Sequence, residues 1–79
     1  MKSNKKEKML TLAGKRIANA RRSNGLSQEG LLDRIYNERD VFIDRNTLSL
    51  IERGKIATNG YYLFVICSAL GMTVEEVFV

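Results

Sequence analysis

The sequence predicts an all-α protein, a compact bundle of five short helices. Three observations support this class: apolar residues recur at helical spacing along most of the chain, helix-capping residues separate the apolar stretches, and none of the 79 residues is proline. A chain of this length forms one small domain with one modest core. We therefore expect a basic flexible tail over residues 1–9 and one folded domain over residues 10–79.

The ends of the first two helices are marked by local signals. A helix is predicted over residues 10–23, where Asn24 and Gly25 provide a stop. Ser27 then has the chemistry of an N-cap for a second helix. The inward face of the first helix is predicted to carry Leu12, Ala13, Ile17 and Ala20.

The last two helices are marked in the same way. Asn59 can cap a helix over residues 60–70, whose high apolar content predicts deep burial, and Gly71 can end it. Thr73 and Glu76 have the spacing of a capping box, in which each side chain accepts a hydrogen bond from the other residue's backbone N–H. A short fifth helix is therefore expected to follow.

The segment over residues 44–54 predicts a third helix with two chemically different faces. Asp44 can cap its first turn, and Gly54 can end it in a left-handed conformation. At roughly 100° per residue, one side carries Thr47, Leu48 and Ile51. The opposite side carries Arg45, Asn46, Ser49 and Arg53. Arginine can make two hydrogen bonds to guanine, and asparagine can make two to adenine. An ordinary amphipathic surface helix also has one apolar and one polar face, so the pattern alone does not decide between the two interpretations.

Charge and composition narrow the possible functions. Eight of the 13 Lys and Arg residues but only one of the nine acidic residues lie in residues 1–22, which therefore carry +7 while the remainder carries −3. A basic end of this kind suits a polyanion, and it is equally typical of a solvated tail. The single cysteine, Cys67, lies in an apolar run and is predicted to be a core residue.

Several classes of protein are disfavoured. The sequence has no histidine, so we expect neither a zinc site nor a common catalytic pair, and no enzyme activity, metal, cofactor or small-molecule ligand. No apolar run approaches the length of about 20 residues that a membrane span requires. A lone cysteine fits a reducing cytoplasm.

Four segments in order resemble the Cro/C1-type helix-turn-helix family, which includes phage repressors and many small bacterial regulators. They are residues 14–17 (GKRI), 21–29 (RRSNGLSQE), 46–55 (NTLSLIERGK) and 69–78 (ALGMTVEEVF). The resemblance spans nearly all of residues 13–78. It implies a lambda-repressor-like domain in the cytoplasm of a bacterium, or encoded by a phage, that regulates transcription, most often as a repressor, by binding a palindromic operator in double-stranded DNA.

The resemblance also implies roles for individual residues. The third helix would be the recognition helix in the major groove. Its base-contacting residues would be Arg45, Asn46, Ser49 and Leu50. The phosphate contacts would come from Ser27, Gln28, Thr47, Arg53 and Lys55. In the family, a late arginine of the first helix pairs with the glutamate of the Ile-Glu-Arg-Gly segment, so Arg21 and Glu52 are expected to form a structural ion pair.

A small domain of this kind needs a second copy to bind a palindrome tightly, so a homodimer is expected. The apolar residues predicted for the dimer interface are Tyr61, Tyr62, Val65, Val74, Val77, Phe78 and Val79. The competing interpretation is that these side chains only close the core of the monomer.

One departure from the family pattern is the longer connection over residues 36–42. Val41, Phe42 and Ile43 are expected to anchor it in the core. Two interpretations of Arg39 remain open: an additional phosphate contact, or a simple elongation of the second helix. A second class of function also remains open, in which the domain is an antitoxin-like or adaptor module that keeps the fold but binds a protein.

Overall fold

A computed structural model of the chain describes residues 4–78. Within this range the backbone forms five helices and no strand, so the all-α class is confirmed. The helices are α1 (Lys5–Ser23), α2 (Gln28–Arg39), α3 (Arg45–Glu52), α4 (Gly60–Leu70) and α5 (Val74–Phe78). No helix in this part of the chain combines the length and the apolar character that crossing a bilayer requires.

Helix α1 begins earlier than the sequence pattern predicts. It starts at Lys5 and not at Leu10, and the side chain of Asn4 caps it by accepting a 2.8 Å hydrogen bond from the backbone N–H of Glu7. Lysine and glutamate are good helix formers, so a polar first turn can form without any apolar face. The predicted tail is therefore helical from Lys5 onward, and its residues 1–3 lie outside the described range.

The other predicted helix ends agree with the structure. Ser27 Oγ accepts from the backbone N–H of Gly30 at 3.0 Å, and Asn59 Oδ1 accepts from that of Tyr62 at 2.8 Å. The Thr73–Glu76 capping box is present, with hydrogen bonds of 2.8 and 3.2 Å in the two directions. The sequence therefore identified the local chemistry that starts α2, α4 and α5.

The core lies between α4 and the inner faces of the other helices. Fully buried side chains come from α1 (Ile17), α2 (Leu31 and Ile35) and α3 (Leu48). The buried residues of α4 are Leu63, Val65, Ile66, Cys67, Ala69 and Leu70. The prediction for Leu12 is wrong: this residue is 41% exposed, whereas Ala18, which was not predicted to face inward, is buried.

Helix α2 is elongated to Arg39 and ends at Asp40, which adopts a left-handed conformation with φ of 56°. The Arg39 guanidinium lies 5.1 Å from the centre of the Phe64 ring and donates to Ser68 Oγ at 2.8 Å. These contacts tie the additional turn of α2 to α4. The structure therefore favours the elongation interpretation of Arg39.

The segment that follows α2 enters the core with alternating side chains. Val41 and Ile43 are buried, whereas Phe42 is 73% exposed. The expectation that all three residues anchor the connection is therefore wrong for Phe42, since neighbouring residues in a non-helical segment project in different directions.

Two glycines let α3 lie directly against α1. A Cβ atom on Gly14 would lie 2.5 Å from the carbonyl oxygens of Ile51 and Glu52. Gly54 has a φ of 71°, and a Cβ atom there would lie 2.6 Å from Thr11 Cα. The C-terminal end of α3 therefore rests on the backbone of α1 at a distance that no larger residue permits.

Candidate nucleic-acid interface

Helix α3 presents one polar face to solvent and buries the other. Leu48, Ile51 and Glu52 are buried. The predicted base-contacting residues lie on the remaining surface, where Arg45 and Asn46 are exposed and Ser49 and Leu50 are half-buried. The predicted division of this helix into two faces is therefore present in the structure.

Arg45, at the start of α3, takes part in an ion pair at the surface. Its Nη1 lies 3.2 Å from Glu29 Oε1, and the two side chains are 67% and 70% exposed. Ion pairs with this exposure contribute less than about 1 kcal/mol, because water screens the charges and solvates the separated groups well. Arg45 can therefore exchange Glu29 for another acceptor at little cost.

The predicted N-cap of α3 differs from expectation. Asp44 occupies the N-cap position, but its carboxylate accepts from the hydroxyl of Thr47 and makes no hydrogen bond to a backbone amide. Thr47 is half-buried. The Thr47 hydroxyl donates its proton to the Asp44 carboxylate, so it could donate to a phosphate only if this hydrogen bond broke.

An open cleft lies at the N-terminus of α2. It has a volume of about 410 Å³ and is lined by Arg21, Ser27, Gln28, Glu29 and Arg45. The backbone N–H groups at a helix N-terminus carry a partial positive charge, and the exposed Arg45 guanidinium borders this one, whereas Arg21 is paired with Glu52. The cleft therefore has the chemistry of an anion site, and only Glu29 opposes it.

Two side chains predicted to contact phosphate here already have partners. Ser27 Oγ is the N-cap acceptor, and Gln28 Nε2 donates to Glu52 Oε1 at 3.1 Å. Gln28 therefore orients Glu52 as well as lining the cleft. Ser27 keeps its hydroxyl proton and Gln28 its second amide N–H as donors, so both can still contact a phosphate beside the first-turn amides of α2.

A buried network joins α1, α2 and α3. Arg21 Nε lies 2.8 Å from Glu52 Oε2 and Arg21 Nη2 lies 3.1 Å from Glu52 Oε1, so the ion pair expected from the family resemblance is present and bidentate. The two side chains are only 10% and 6% exposed. Arg21 also donates to the carbonyl of Leu26 at 2.8 Å. These residues position α3 and are not available as DNA ligands.

The other predicted cations lie at the C-terminal end of α3. Arg53 and Lys55 are both exposed, and Arg53 Nε donates to the carbonyl of Ser49 at 3.4 Å. This end of α3 meets α1 at Thr11. It therefore borders the basic part of the first helix.

Three further cations of this surface were missed by the sequence analysis. Lys8, Lys15 and Arg22 recur every seven residues on α1 and are all exposed. We call these three residues the basic ridge. Lys8 and Lys15 share one surface cleft with Thr11, so the ridge runs beside the residues that follow α3. In residues 4–78 the only ion pairs are Arg21–Glu52 and Arg45–Glu29, which leaves the ridge uncompensated.

The spacing of the basic ridge was visible in the sequence. It was overlooked because residues 1–9 were assigned to a tail, and Lys8 then had no helix to lie on. Arg16 is different, since its Nη1 donates to the carbonyl of Val77 at 3.4 Å. It therefore points toward α5 and away from the ridge.

The predicted dimer surface is only partly available. Val65 and Val77 are fully buried in the monomer core, so their assignment to an interface is wrong, and Val79 lies outside the described residues. Tyr61 and Phe78 are 57% and 44% exposed. The remaining two, Tyr62 and Val74, are half-buried against the core. Phe64, which is 47% exposed, was missed and lies one turn from Tyr61 on the outer face of α4.

Among the described residues, no three His, Cys, Asp or Glu side chains are grouped closely enough to hold a metal ion. Comparison with protein-family models, curated proteins and solved structures gives no match to this chain.

Proposed function

We propose that this protein is a sequence-specific regulator that binds double-stranded DNA, with α2 and α3 acting as a helix-turn-helix and α3 lying in the major groove. The observation that supports this most is the outer face of α3. It presents Arg45 and Asn46 to solvent on a helix whose opposite face is buried. A helix of this kind fits the major groove, where arginine and asparagine read guanine and adenine.

The proposal divides the interface into residues that read bases and residues that bind the backbone. Arg45, Asn46, Ser49 and Leu50 face the bases, and Leu50 offers an apolar contact to a thymine methyl group. Binding exchanges the weak Arg45–Glu29 pair for a bidentate contact to guanine. The exchange is feasible because both members of the pair are more than half exposed.

Backbone contacts come from both sides of α3 in this proposal. The cleft at the N-terminus of α2 takes one phosphate on its amides. Arg53, Lys55 and the basic ridge take others near the C-terminal end of α3. Contacts to phosphate supply affinity and register but little sequence information.

The regulator is proposed to act as a homodimer on a palindromic site, since one small domain contacts only a half-site. Tyr61, Phe64 and Phe78 are the exposed aromatic residues of α4 and α5. They replace the buried valines as the proposed interface. Occupation of the operator would block or recruit polymerase.

Selection from a pool of random DNA duplexes tests the proposal. We expect enrichment of an inverted repeat, whose half-site spacing reports the distance between the two α3 helices. Failure to enrich any sequence above the input pool would contradict sequence-specific binding.

Two single substitutions then separate the proposed roles. Arg45→Ala should weaken binding to the selected site by about 1–3 kcal/mol and relax selectivity at one base pair. Lys55→Ala should weaken binding to all duplexes alike and reduce the salt dependence. Equal losses on selected and random DNA for both variants would remove Arg45 from base recognition.

A pair of double substitutions on α1 tests the basic ridge. Lys8→Gln/Lys15→Gln and Lys5→Gln/Lys6→Gln remove the same charge from the same helix, but only the first pair lies on the ridge. Each phosphate contact contributes about 0.9 to the slope of log K against log salt concentration. The ridge variant should therefore lose about 1.8 from the slope measured on a random duplex, and the matched variant much less. Equal slopes for the two variants would show that only net charge matters.

A further inference from the structure

A groove lies between α2 and the segment that leads into α3. It has a volume of about 700 Å³, within the range of binding pockets for small ligands and side chains. Its apolar lining comes from Leu32, Tyr36 and Phe42, and its acidic lining from Glu29, Asp33 and Asp44. We call it the acidic groove. Part of it is built by the elongated end of α2 and the connection that follows.

The aromatic residues of the acidic groove are unusually open to water. Phe42 is 73% exposed and Tyr36 is 52% exposed. A single exposed aromatic residue is unremarkable, but two that line one groove provide two rings on which another molecule can pack. Covering them would remove substantial apolar area from water.

The charge of the groove selects the class of partner. Arg45 compensates Glu29 at 3.2 Å, and Asp44 accepts a hydrogen bond from Thr47, which leaves its charge in place. Asp33 has no cation within ion-pair distance among residues 4–78. A net negative groove repels a phosphate backbone and attracts a cation. A nucleic acid is therefore unsuited to it, whereas a basic segment of a protein is suited.

Among cations, the guanidinium group fits this lining best. It is planar, less strongly hydrated than an ammonium group, and able to stack on an aromatic ring while it forks onto a carboxylate. The protein already uses this chemistry on its own surface, where the Arg39 guanidinium lies 5.1 Å from the centre of the Phe64 ring. Tyr36 and Phe42 provide similar rings, with Asp33 and Asp44 as acceptors.

We propose that the acidic groove is a docking site for a segment of a partner protein that inserts an arginine side chain beside Tyr36 and Phe42, with aliphatic neighbours packed on Leu32. This role goes beyond the proposed DNA-binding function and does not depend on it. It uses a different surface, with Glu29 and Arg45 at the boundary between the two.

Selection of random peptides displayed on phage, with the whole protein immobilised, tests the docking site. We expect the enriched peptides to contain an arginine next to aliphatic or aromatic residues. Synthetic copies of them should lose about tenfold in affinity on Phe42→Ser and on Asp33→Asn, measured by fluorescence anisotropy. Exchange of the peptide arginine for lysine should also weaken binding, because an ammonium group cannot lie flat on an aromatic ring or make a bidentate contact to a carboxylate.

Matched substitutions elsewhere control for general effects. Met9→Ser removes an apolar side chain that is 51% exposed on α1, and Glu75→Gln removes an exposed carboxylate on α5. Neither should change peptide affinity. Because Phe42 and Asp33 are both exposed, their variants should keep the circular dichroism spectrum of the parent.

Three results would overturn the docking site: no enrichment above an unrelated immobilised protein, enriched peptides without basic residues, or equal affinity for parent and groove variants. None of these results bears on duplex binding. If the protein selects DNA but no peptide, the proposed DNA binding stands and the docking site is refuted. If it selects peptides but no DNA, the docking site stands and sequence-specific DNA binding is refuted.

Discussion

Replacement of Glu52 by alanine should be among the most destabilising single changes on α3. The Glu52 carboxylate accepts from Arg21 Nε at 2.8 Å, Arg21 Nη2 at 3.1 Å and Gln28 Nε2 at 3.1 Å. Its removal leaves the Arg21 guanidinium, whose side chain is only 10% exposed, with the carbonyl of Leu26 as its remaining partner. Removing one member of a buried pair costs about 3–5 kcal/mol, mostly because the other charge stays buried without compensation.

The assay is thermal unfolding followed by circular dichroism. A loss of about 3 kcal/mol should lower the Tm of a domain this small by roughly 12–24 °C. Glu29→Ala is the matched control, because Glu29 also pairs with an arginine but is 70% exposed, and its loss should cost less than about 1 kcal/mol. Indistinguishable Tm values for the two variants would refute the reasoning.

A second variant separates charge burial from packing. Arg21→Met/Glu52→Met removes both charges together and keeps most of the side-chain volume. It should be more stable than either single methionine variant, since no buried charge is left unpaired. If the stability lost by the double variant, relative to the parent, equalled the sum of the losses of the two single variants, the two residues would act independently and the network would not be a unit.

Three further substitutions or measurements test other features. Gly14→Ala places a methyl group 2.5 Å from two carbonyl oxygens, so it should lower the free energy of unfolding, measured in urea, by about 1–3 kcal/mol. Gly60→Ala, whose methyl group would meet no atom within 4 Å, should be neutral or stabilising. Equal effects of the two substitutions would contradict the close approach of α1 and α3. Burial, and secondarily the charge of Glu76, raise the pKa of the Cys67 thiol to about 11. A thiol reagent at pH 8 should therefore label Cys67 in the native protein no faster than the protein unfolds. Rapid labelling would show that the thiol is accessible. The backbone N–H and then the hydroxyl of Thr73 lower the pKa of Glu76 from its ordinary value. Its carboxylate therefore stabilises α5 above that ordinary value and ceases to do so as the pH falls through the lowered pKa. Glu76→Gln should therefore reduce stability at pH 7 but not under strongly acid conditions, and an equal loss at both would assign the effect to something other than charge.

Much of the fold could be predicted because helix ends depend on local chemistry. The N-caps Ser27 and Asn59 and the Thr73–Glu76 capping box each satisfy backbone amides within three residues, so their effect can be read from the sequence alone. Asp44 is the exception. Thr47 competes for its carboxylate, and the choice between a hydroxyl and an amide donor depends on side-chain rotamers that spacing does not specify.

Residue exposure on α4 could not be predicted in the same way. This helix is apolar nearly all round, so periodicity does not identify which side faces water. Val65 was consequently assigned to an interface and the exposure of Phe64 was missed, and the orientation became clear only from the packing of α2 and α5 on α4. Phe42 poses a similar problem, because a large apolar residue is expected to be buried unless a partner surface requires otherwise.

Only part of the candidate interface could be predicted from the sequence. The two faces of α3 follow from residue spacing, whereas the pairing of Arg21 with Glu52 was expected only from a family resemblance, since 31 residues separate the two. The Arg45–Glu29 pair and the basic ridge were not predicted at all. Both depend on how the helices lie relative to one another.

The position of the polar face of α3 depends mainly on contacts at the opposite end of that helix. Eight residues are too few for a stable isolated helix, which needs about 12–15, so α3 exists because tertiary contacts hold it. The close approaches at Gly14 and Gly54 and the buried network of Glu52 all lie at its C-terminal end. They fix the direction and rotation of the helix without occupying Arg45 or Asn46, which begin it. Substitutions at those two positions should therefore change the proposed contact surface at little cost to the fold, because the one ion pair that Arg45 makes within residues 4–78 is exposed and weak.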